Sequence, residues 1–220
     1  MAAAHPRRAS RPMNISGRLR ASKLLAIVRG GDPQAALRTV LTLADEGVEL
    51  IEVSLTTADA TGILRRARDL LGGSTTLGAG TVVSRDDAAR AADAGAEFIV
   101  TPALGPGIAE ARSRALPVIA GALTPSEIVE ATNRGATTIK LFPASLGGIA
   151  YLRALRDPFP AVPFVPVGGV DADLARQYLA AGATAVGIGS PLIADAASGG
   201  SLNLLRQRTR QFLTAVRDTA

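Results

Sequence analysis

The chain has 220 residues, 47% of them hydrophobic, which is enough for one domain with a sizeable core. It contains no cysteine and one histidine, His5, so disulfides, thiolate metal sites and cysteine nucleophiles are excluded and histidine-based catalysis is disfavoured. Five arginines in the first twenty residues account for the net charge of +5, so the body of the chain is neutral and we expect neither nucleic-acid binding nor a membrane-spanning segment.

The first predicted segment, residues 1–20, is rich in Ala, Arg, Ser and Pro and has no acid, which predicts a disordered basic tail. From residue 21 to 220, short β-branched runs alternate with helical stretches. Capping signals such as Ser84, Thr124 and Asp171 mark helix starts. The predicted strands are Leu24–Val28, Leu50–Leu55, Thr76–Gly80, Phe98–Thr101, Val118–Gly121, Thr138–Phe142, Phe164–Gly168 and Ala185–Gly189.

Eight strand–helix units predict a single-domain (β/α)₈ TIM barrel over residues 21–220. A glycine follows several of the predicted helices, and these glycines are Gly47, Gly95, Gly135 and Gly182. A doubly wound open sheet is the alternative, but no Gly-x-Gly-x-x-Gly follows the first strand.

Lys140 is the first candidate for chemistry because it lies within an apolar strand. The chain has twenty-two arginines and only two lysines, so a lysine at this place indicates a property that arginine lacks. A neutral amine can form a Schiff base with a carbonyl group, and a guanidinium cannot. The alternative is a lysine at the strand end that extends to solvent.

Glu52 is the predicted partner of Lys140. Alternation along the second strand directs Ile51 and Val53 toward the helices and Glu52 into the barrel, where a carboxylate needs a partner. An eight-stranded barrel is narrow enough for side chains from opposite walls to meet near its axis. We interpret the two residues as an amine nucleophile and a proton shuttle, with a purely structural buried ion pair as the alternative.

Loops after the last two strands indicate a phosphate site. Gly168 and Gly169 follow the seventh strand and Ser190 follows the eighth, where barrel enzymes usually bind phosphate. Gly78-Ala79-Gly80-Thr81 ends the third strand, where small residues let a substrate or backbone come close and the threonine offers a hydroxyl. Arg29, after the first strand, is either a carboxylate ligand or an exposed loop arginine.

Several motifs together resemble the class I 2-keto-3-deoxy-6-phosphogluconate (KDPG) and 4-hydroxy-2-oxoglutarate aldolases and their 6-phosphogalactonate relatives. In chain order they are Glu52-Val53-Ser54-Leu55, Gly78-Ala79-Gly80-Thr81-Val82, Thr101-Pro102, Ile139-Lys140-Leu141-Phe142-Pro143-Ala144, Val167-Gly168-Gly169-Val170 and Gly189-Ser190. The resemblance covers about residues 23 to 195. It implies a cytoplasmic homotrimer without metal or cofactor, acting in Entner–Doudoroff-type sugar-acid breakdown.

The implied reaction is cleavage of a 2-keto-3-deoxy-6-phospho sugar acid to pyruvate and glyceraldehyde 3-phosphate through a Schiff base. The implied site residues are Lys140 (Schiff base), Glu52 (proton transfer), Thr81 (carboxylate), Gly168, Gly169 and Ser190 (phosphate), and Pro102 and Phe142 (pocket walls).

The sequence departs from the phosphogluconate pattern at four positions. Thr56 stands where an arginine usually helps to hold the pyruvyl carboxylate, and Arg29 is a candidate to supply that charge. Arg29 and Val167 resemble the phosphogalactonate branch, and a proline often found at the position of Ala120 is absent. The substrate's configuration, gluconate or galactonate, therefore stays open.

Two other functions also stay open on the sequence alone. One is a non-covalent phosphate-binding isomerase or synthase in which Lys140 acts only as an electrostatic clamp. The other is a catalytically silent barrel that binds a sugar phosphate.

Overall fold

The computed structural model describes residues 14–218, and within them eight parallel strands form one sheet. The strands are β1 (Leu24–Val28), β2 (Leu50–Ser54), β3 (Thr76–Gly80), β4 (Phe98–Val100), β5 (Val118–Ala122), β6 (Thr138–Leu141), β7 (Phe164–Pro166) and β8 (Val186–Ile188). Their hydrogen-bonded order is β7-β6-β5-β4-β3-β2-β1-β8, and a bridge between Val167 and Gly187 joins the two ends. The predicted (β/α)₈ barrel is confirmed.

Helices alternate with the strands. They are α1 (Ile15–Ser22), α2 (Pro33–Asp45), α3 (Ala60–Leu71), α4 (Arg85–Asp93), α5 (Gly107–Ser113), α6 (Pro125–Asn133), α7 (Gly148–Arg156), α8 (Ala172–Ala180), α9 (Ser190–Ile193) and α10 (Leu202–Arg217). Ser84 and Thr124 form capping boxes and Asp171 caps α8, as predicted. Within residues 14–218, no helix has the length and apolar character needed to cross a membrane.

Helix α1 closes the end of the barrel at which the strands begin. Its Ile15 and Leu19 belong to the same apolar cluster as lumen residues such as Phe98. Arg18 Nη1 donates to Thr76 Oγ1 at 2.7 Å, which fixes the helix to the start of β3.

The expected boundary of the N-terminal tail is therefore wrong, because residues 14–20 belong to the folded barrel. The arginine-rich composition concealed two apolar positions, Ile15 and Leu19, whose spacing of four residues places them on one helix face. Residues 1–13 lie outside the described residues.

Alternate residues of each strand face the lumen and the helix layer. Ile51 and Val53 on β2 pack in the cluster under the helices, as do Ile139 and Leu141 on β6. Their neighbours therefore face the barrel interior, which confirms the predicted orientation of Glu52 and Lys140.

Candidate active site

A cavity of about 510 Å³ opens at the carboxyl ends of the strands. Eight of the nine predicted site residues line it, and these are Arg29, Thr81, Pro102, Lys140, Phe142, Gly168, Gly169 and Ser190. The ninth, Glu52, is fully buried within the barrel and does not line the cavity. The cavity thus brings together predicted site residues from six βα units.

Lys140 reaches the cavity from the middle of β6, between Gly121 of β5 and Val165 of β7. Its side chain is only 6% exposed, and Nζ lies 5.1 Å from the centroid of the Phe142 ring. An aromatic face at this distance attracts the cation without the tight geometry of an ion pair. The amine is therefore sheltered from bulk water and still borders the cavity.

Glu52 is buried without a hydrogen-bond partner among the described residues, for either carboxylate oxygen. Burial raises the pKa of Glu52, and the positive charges of Lys140 and Arg29 oppose this with smaller effects. A glutamate in this environment holds a proton more readily than an exposed one, which suits a group that gives and takes protons near neutral pH.

The expectation that Glu52 and Lys140 meet directly is wrong, and the alternative of a purely structural ion pair is contradicted with it. The Lys140 amine extends toward the Phe142 ring at the mouth, whereas the Glu52 carboxyl folds over Gly80 of β3. The two groups influence each other through charge across the barrel and not through a shared proton.

Gly78 and Gly80 make room for protein side chains. A Cβ on residue 80 would overlap the Glu52 carboxyl group, and one on residue 78 would overlap the Phe98 ring. The sequence expectation that these small residues admit a substrate or backbone is corrected accordingly. Gly80 therefore leaves the space that the Glu52 carboxyl group occupies.

Replacing Gly80 with alanine should displace the Glu52 carboxyl and lower kcat by about 10²–10⁴-fold, as expected for losing a general acid–base group. Steady-state kinetics on the folded variant would test this. Gly31→Ala is the matched control, because no atom lies within 4 Å of a Cβ placed there. Normal turnover in the Gly80→Ala enzyme would show that the position of Glu52 is unimportant.

The raised pKa of Glu52 also predicts how stability depends on pH. Protonated Glu52 contributes to the stability of the folded state. This contribution is fully present below pH 4.5, the ordinary pKa of a glutamate, and is lost as pH rises through the raised pKa of Glu52 in the folded protein. In the Glu52→Gln variant the side chain at position 52 is uncharged at every pH. The free energy of unfolding of this variant relative to the wild type should therefore increase between about pH 4 and about pH 8. Urea unfolding at both pH values measures the difference, and a difference that stayed constant or shrank would contradict the raised pKa.

Arg29 approaches a cluster of hydroxyl groups at the mouth of the barrel. Ser54 Oγ lies 2.8 Å from Thr56 Oγ1 and 2.8 Å from Thr81 Oγ1. Arg29 Nε donates to Ser54 Oγ at 3.4 Å, and Arg29 Nη2 donates to Thr81 Oγ1 at 3.4 Å. The guanidinium therefore reaches Thr56 only through Ser54, and compensation by Arg29 for the charge that Thr56 lacks stays a prediction.

Thr81 has a φ of 60°, in the left-handed region that a β-branched residue rarely adopts. Such a conformation costs roughly 1–3 kcal/mol and persists where surrounding contacts hold it. The hydrogen bonds that Thr81 Oγ1 makes with Ser54 Oγ and Arg29 Nη2 are contacts of that kind. This strain at the cavity wall supports a functional role for the Thr81 side chain.

The loop after β7 has a backbone conformation that requires glycine. Gly168 and Gly169 have φ values of 109° and 72°. Within the described chain, no protein acceptor takes the backbone N–H of Gly169 or of Ser190, the exposed first residue of α9. Both residues line the cavity, so these donors are available to an anionic group.

Sequence reasoning named Ser54 as part of a motif and gave it no role, although it contacts three of the polar groups at the mouth. The only signal was its position two residues after Glu52. Its partners lie just after β1, β2 and β3, and contacts between three such segments cannot be predicted from one strand.

Comparisons with known proteins show which family this chain resembles. The family model described as "KDPG and KHG aldolase" matches residues 15–201. The 2-dehydro-3-deoxy-phosphogluconate aldolase of Treponema pallidum is 34% identical over 74% of this chain and 77% of its own. The 2-dehydro-3-deoxy-6-phosphogalactonate aldolase of Escherichia coli is 31% identical over 89% of this chain and 95% of its own.

A solved structure is similar throughout. The KDPG aldolase of Legionella pneumophila, with pyruvate captured at low pH as a covalent carbinolamine intermediate, superposes with a TM-score of 0.83. It is 26% identical, and the match covers 92% of this chain and 98% of that one. The extent of these matches shows that the chain belongs to the KDPG and KHG aldolase family.

Proposed function

We propose that this protein is a class I aldolase that cleaves a 2-keto-3-deoxy-6-phospho sugar acid to pyruvate and glyceraldehyde 3-phosphate. The observation that carries the proposal is the position of Lys140, a buried amine that borders the cavity, with Glu52 buried inside the same barrel. The carbinolamine trapped in the Legionella relative supports covalent chemistry between an amine and pyruvate.

The cavity supports one orientation of the substrate. Arg29 and Thr81 would hold the carboxylate at one side, and the backbone donors of Gly169 and Ser190 would hold the phosphate at the other. Pro102 and Phe142 would line the walls. The C2 carbonyl, next to the carboxylate, then lies above Lys140.

The reaction begins when the unprotonated Lys140 amine attacks C2 and forms a carbinolamine. Glu52 donates its proton to the leaving hydroxyl, so that water departs and an iminium forms. The resulting Glu52 carboxylate removes the proton of the C4 hydroxyl, and the C3–C4 bond breaks as its electron pair flows into the iminium. Glyceraldehyde 3-phosphate leaves, C3 of the enamine is protonated, and water releases pyruvate from Lys140.

A coupled assay tests this function. Lactate dehydrogenase would report pyruvate release from a panel of 2-keto-3-deoxy acids, including the 6-phosphogluconate and 6-phosphogalactonate forms and 4-hydroxy-2-oxoglutarate. We expect turnover of at least one phosphorylated member, undiminished by a metal chelator. A rise in melting temperature with ligand but no pyruvate would indicate a silent binding protein instead.

We further propose that the enzyme is a cytoplasmic homotrimer of Entner–Doudoroff-type metabolism and needs no metal or cofactor. The family resemblance supports the assembly, and a charged phosphorylated substrate that does not cross membranes supports the location. The iminium itself serves as the electron sink, so the mechanism has no step for a metal. Light scattering should give about three times the 22.4 kDa mass of one chain, and a monomer would contradict the assembly.

A further inference from the structure

Ser54 lies at the centre of the polar cluster at the barrel mouth, and the proposed reaction leaves it without a role. It is the last residue of β2 and is fully buried. Its Oγ contacts Thr56 Oγ1 and Thr81 Oγ1 at 2.8 Å and accepts a longer bond from Arg29 Nε at 3.4 Å. Two of these three partners, Arg29 and Thr81, are the proposed carboxylate ligands.

The hydrogen-bonding capacity of these groups limits how the protons can be arranged. A hydroxyl group has one proton to donate and two lone pairs that accept, and a guanidinium only donates. If Ser54 donates to Thr81, its two lone pairs accept from Arg29 Nε and from Thr56, and its capacity is filled. Thr81 then accepts from Ser54 and from Arg29 Nη2, and its own proton is free for the cavity that it lines.

The opposite arrangement opposes binding of an anion. If Thr81 donated to Ser54, only lone pairs of Thr81 would face the cavity, and they would repel a carboxylate. A carboxylate accepts hydrogen bonds and cannot donate them when ionised. A bound carboxylate therefore favours one sequence of hydrogen bonds, in which Thr56 donates to Ser54, Ser54 donates to Thr81, and Thr81 donates to the ligand.

We propose that Ser54 is a positioning residue that directs the Thr81 proton toward the substrate carboxylate and holds Arg29 beside it. The inference rests on the proposed function. Both Arg29 contacts, at 3.4 Å, are longer than the roughly 2.7–3.2 Å of strong N–H···O bonds, so the guanidinium can move onto a carboxylate with little loss. Ser54 thus acts on the 2-oxo acid end of the substrate and not on the phosphate end.

The reverse reaction, aldol addition of pyruvate to glyceraldehyde 3-phosphate, allows the two ends to be tested separately. Pyruvate carries the carboxylate and glyceraldehyde 3-phosphate carries the phosphate, and each has its own KM. In the Ser54→Ala variant, the KM for pyruvate should rise about tenfold, which is the usual effect of losing hydrogen bonds to a charged-ligand site. The KM for glyceraldehyde 3-phosphate and kcat should stay near their wild-type values. Ser54→Thr, which keeps a hydroxyl, should retain tight pyruvate binding.

A double-mutant cycle identifies the route through which Ser54 acts. Thr81→Val should itself raise the KM for pyruvate. In that background, Ser54→Ala should raise the KM by a smaller factor than it does alone, because both substitutions interrupt the same series of hydrogen bonds. An unchanged KM for pyruvate in Ser54→Ala would overturn the inference, as would equal rises for both substrates or full additivity with Thr81→Val. If the wild-type enzyme forms no aldol product, the proposed function itself is wrong.

Discussion

The Lys140→Arg variant should fold normally and lose more than about 10³-fold in kcat, because it keeps the positive charge and loses the nucleophile. A guanidinium forms no Schiff base with a carbonyl, so the reaction cannot begin. The coupled pyruvate assay measures the loss, and circular dichroism with thermal unfolding establishes that the variant is folded.

Lys23→Arg is the matched control, since Lys23 is the only other lysine in the chain. It lies at the end of α1, on the face of the barrel opposite the cavity, and its replacement should leave kcat unchanged. A Lys140→Arg enzyme with a substantial fraction of wild-type activity would favour the non-covalent isomerase or synthase.

The Glu52→Gln variant should lower kcat by about 10²–10⁴-fold, the range expected for a positioned acid–base group. The amide has nearly the size of the carboxyl group, so the space above Gly80 stays filled. Because Glu52 binds neither the carboxylate nor the phosphate in the proposed orientation of the substrate, the KM for the sugar acid should change far less than kcat. This division between kcat and KM separates a loss of proton transfer from a loss of binding.

Glu49→Gln serves as the control, because Glu49 is exposed and lies just before the same strand. It should behave as the wild type does. A Glu52→Gln enzyme with normal kcat would remove Glu52 from the mechanism and leave the unpartnered, buried carboxyl without an explanation.

Much of the fold was predictable because its signals are local. The Ser84 and Thr124 capping boxes lie within four consecutive residues, and alternation along β2 and β6 is set by the extended backbone itself. Such patterns located the strands and directed Glu52 and Lys140 into the lumen.

The details that sequence reasoning missed depend on contacts between distant segments. Helix α1 escaped prediction because it has only two buried apolar residues, which find their partners inside the barrel. The group that occupies the space over Gly80 depends on the register of β2 against β3. In the same way, the role of Ser54 emerges only when Arg29 and Thr81 converge on it.

The most direct test of the proposed mechanism is borohydride reduction of the enzyme in the presence of pyruvate, followed by tryptic peptide mass spectrometry. We predict that Lys140 gains a reduced pyruvyl group, and because trypsin does not cut after a modified lysine, residues 135–153 should appear as one peptide. Without pyruvate, the same region should be cut after Lys140. An unmodified Lys140 in the folded enzyme, or a pyruvyl group found only on Lys23, would contradict the Schiff-base mechanism.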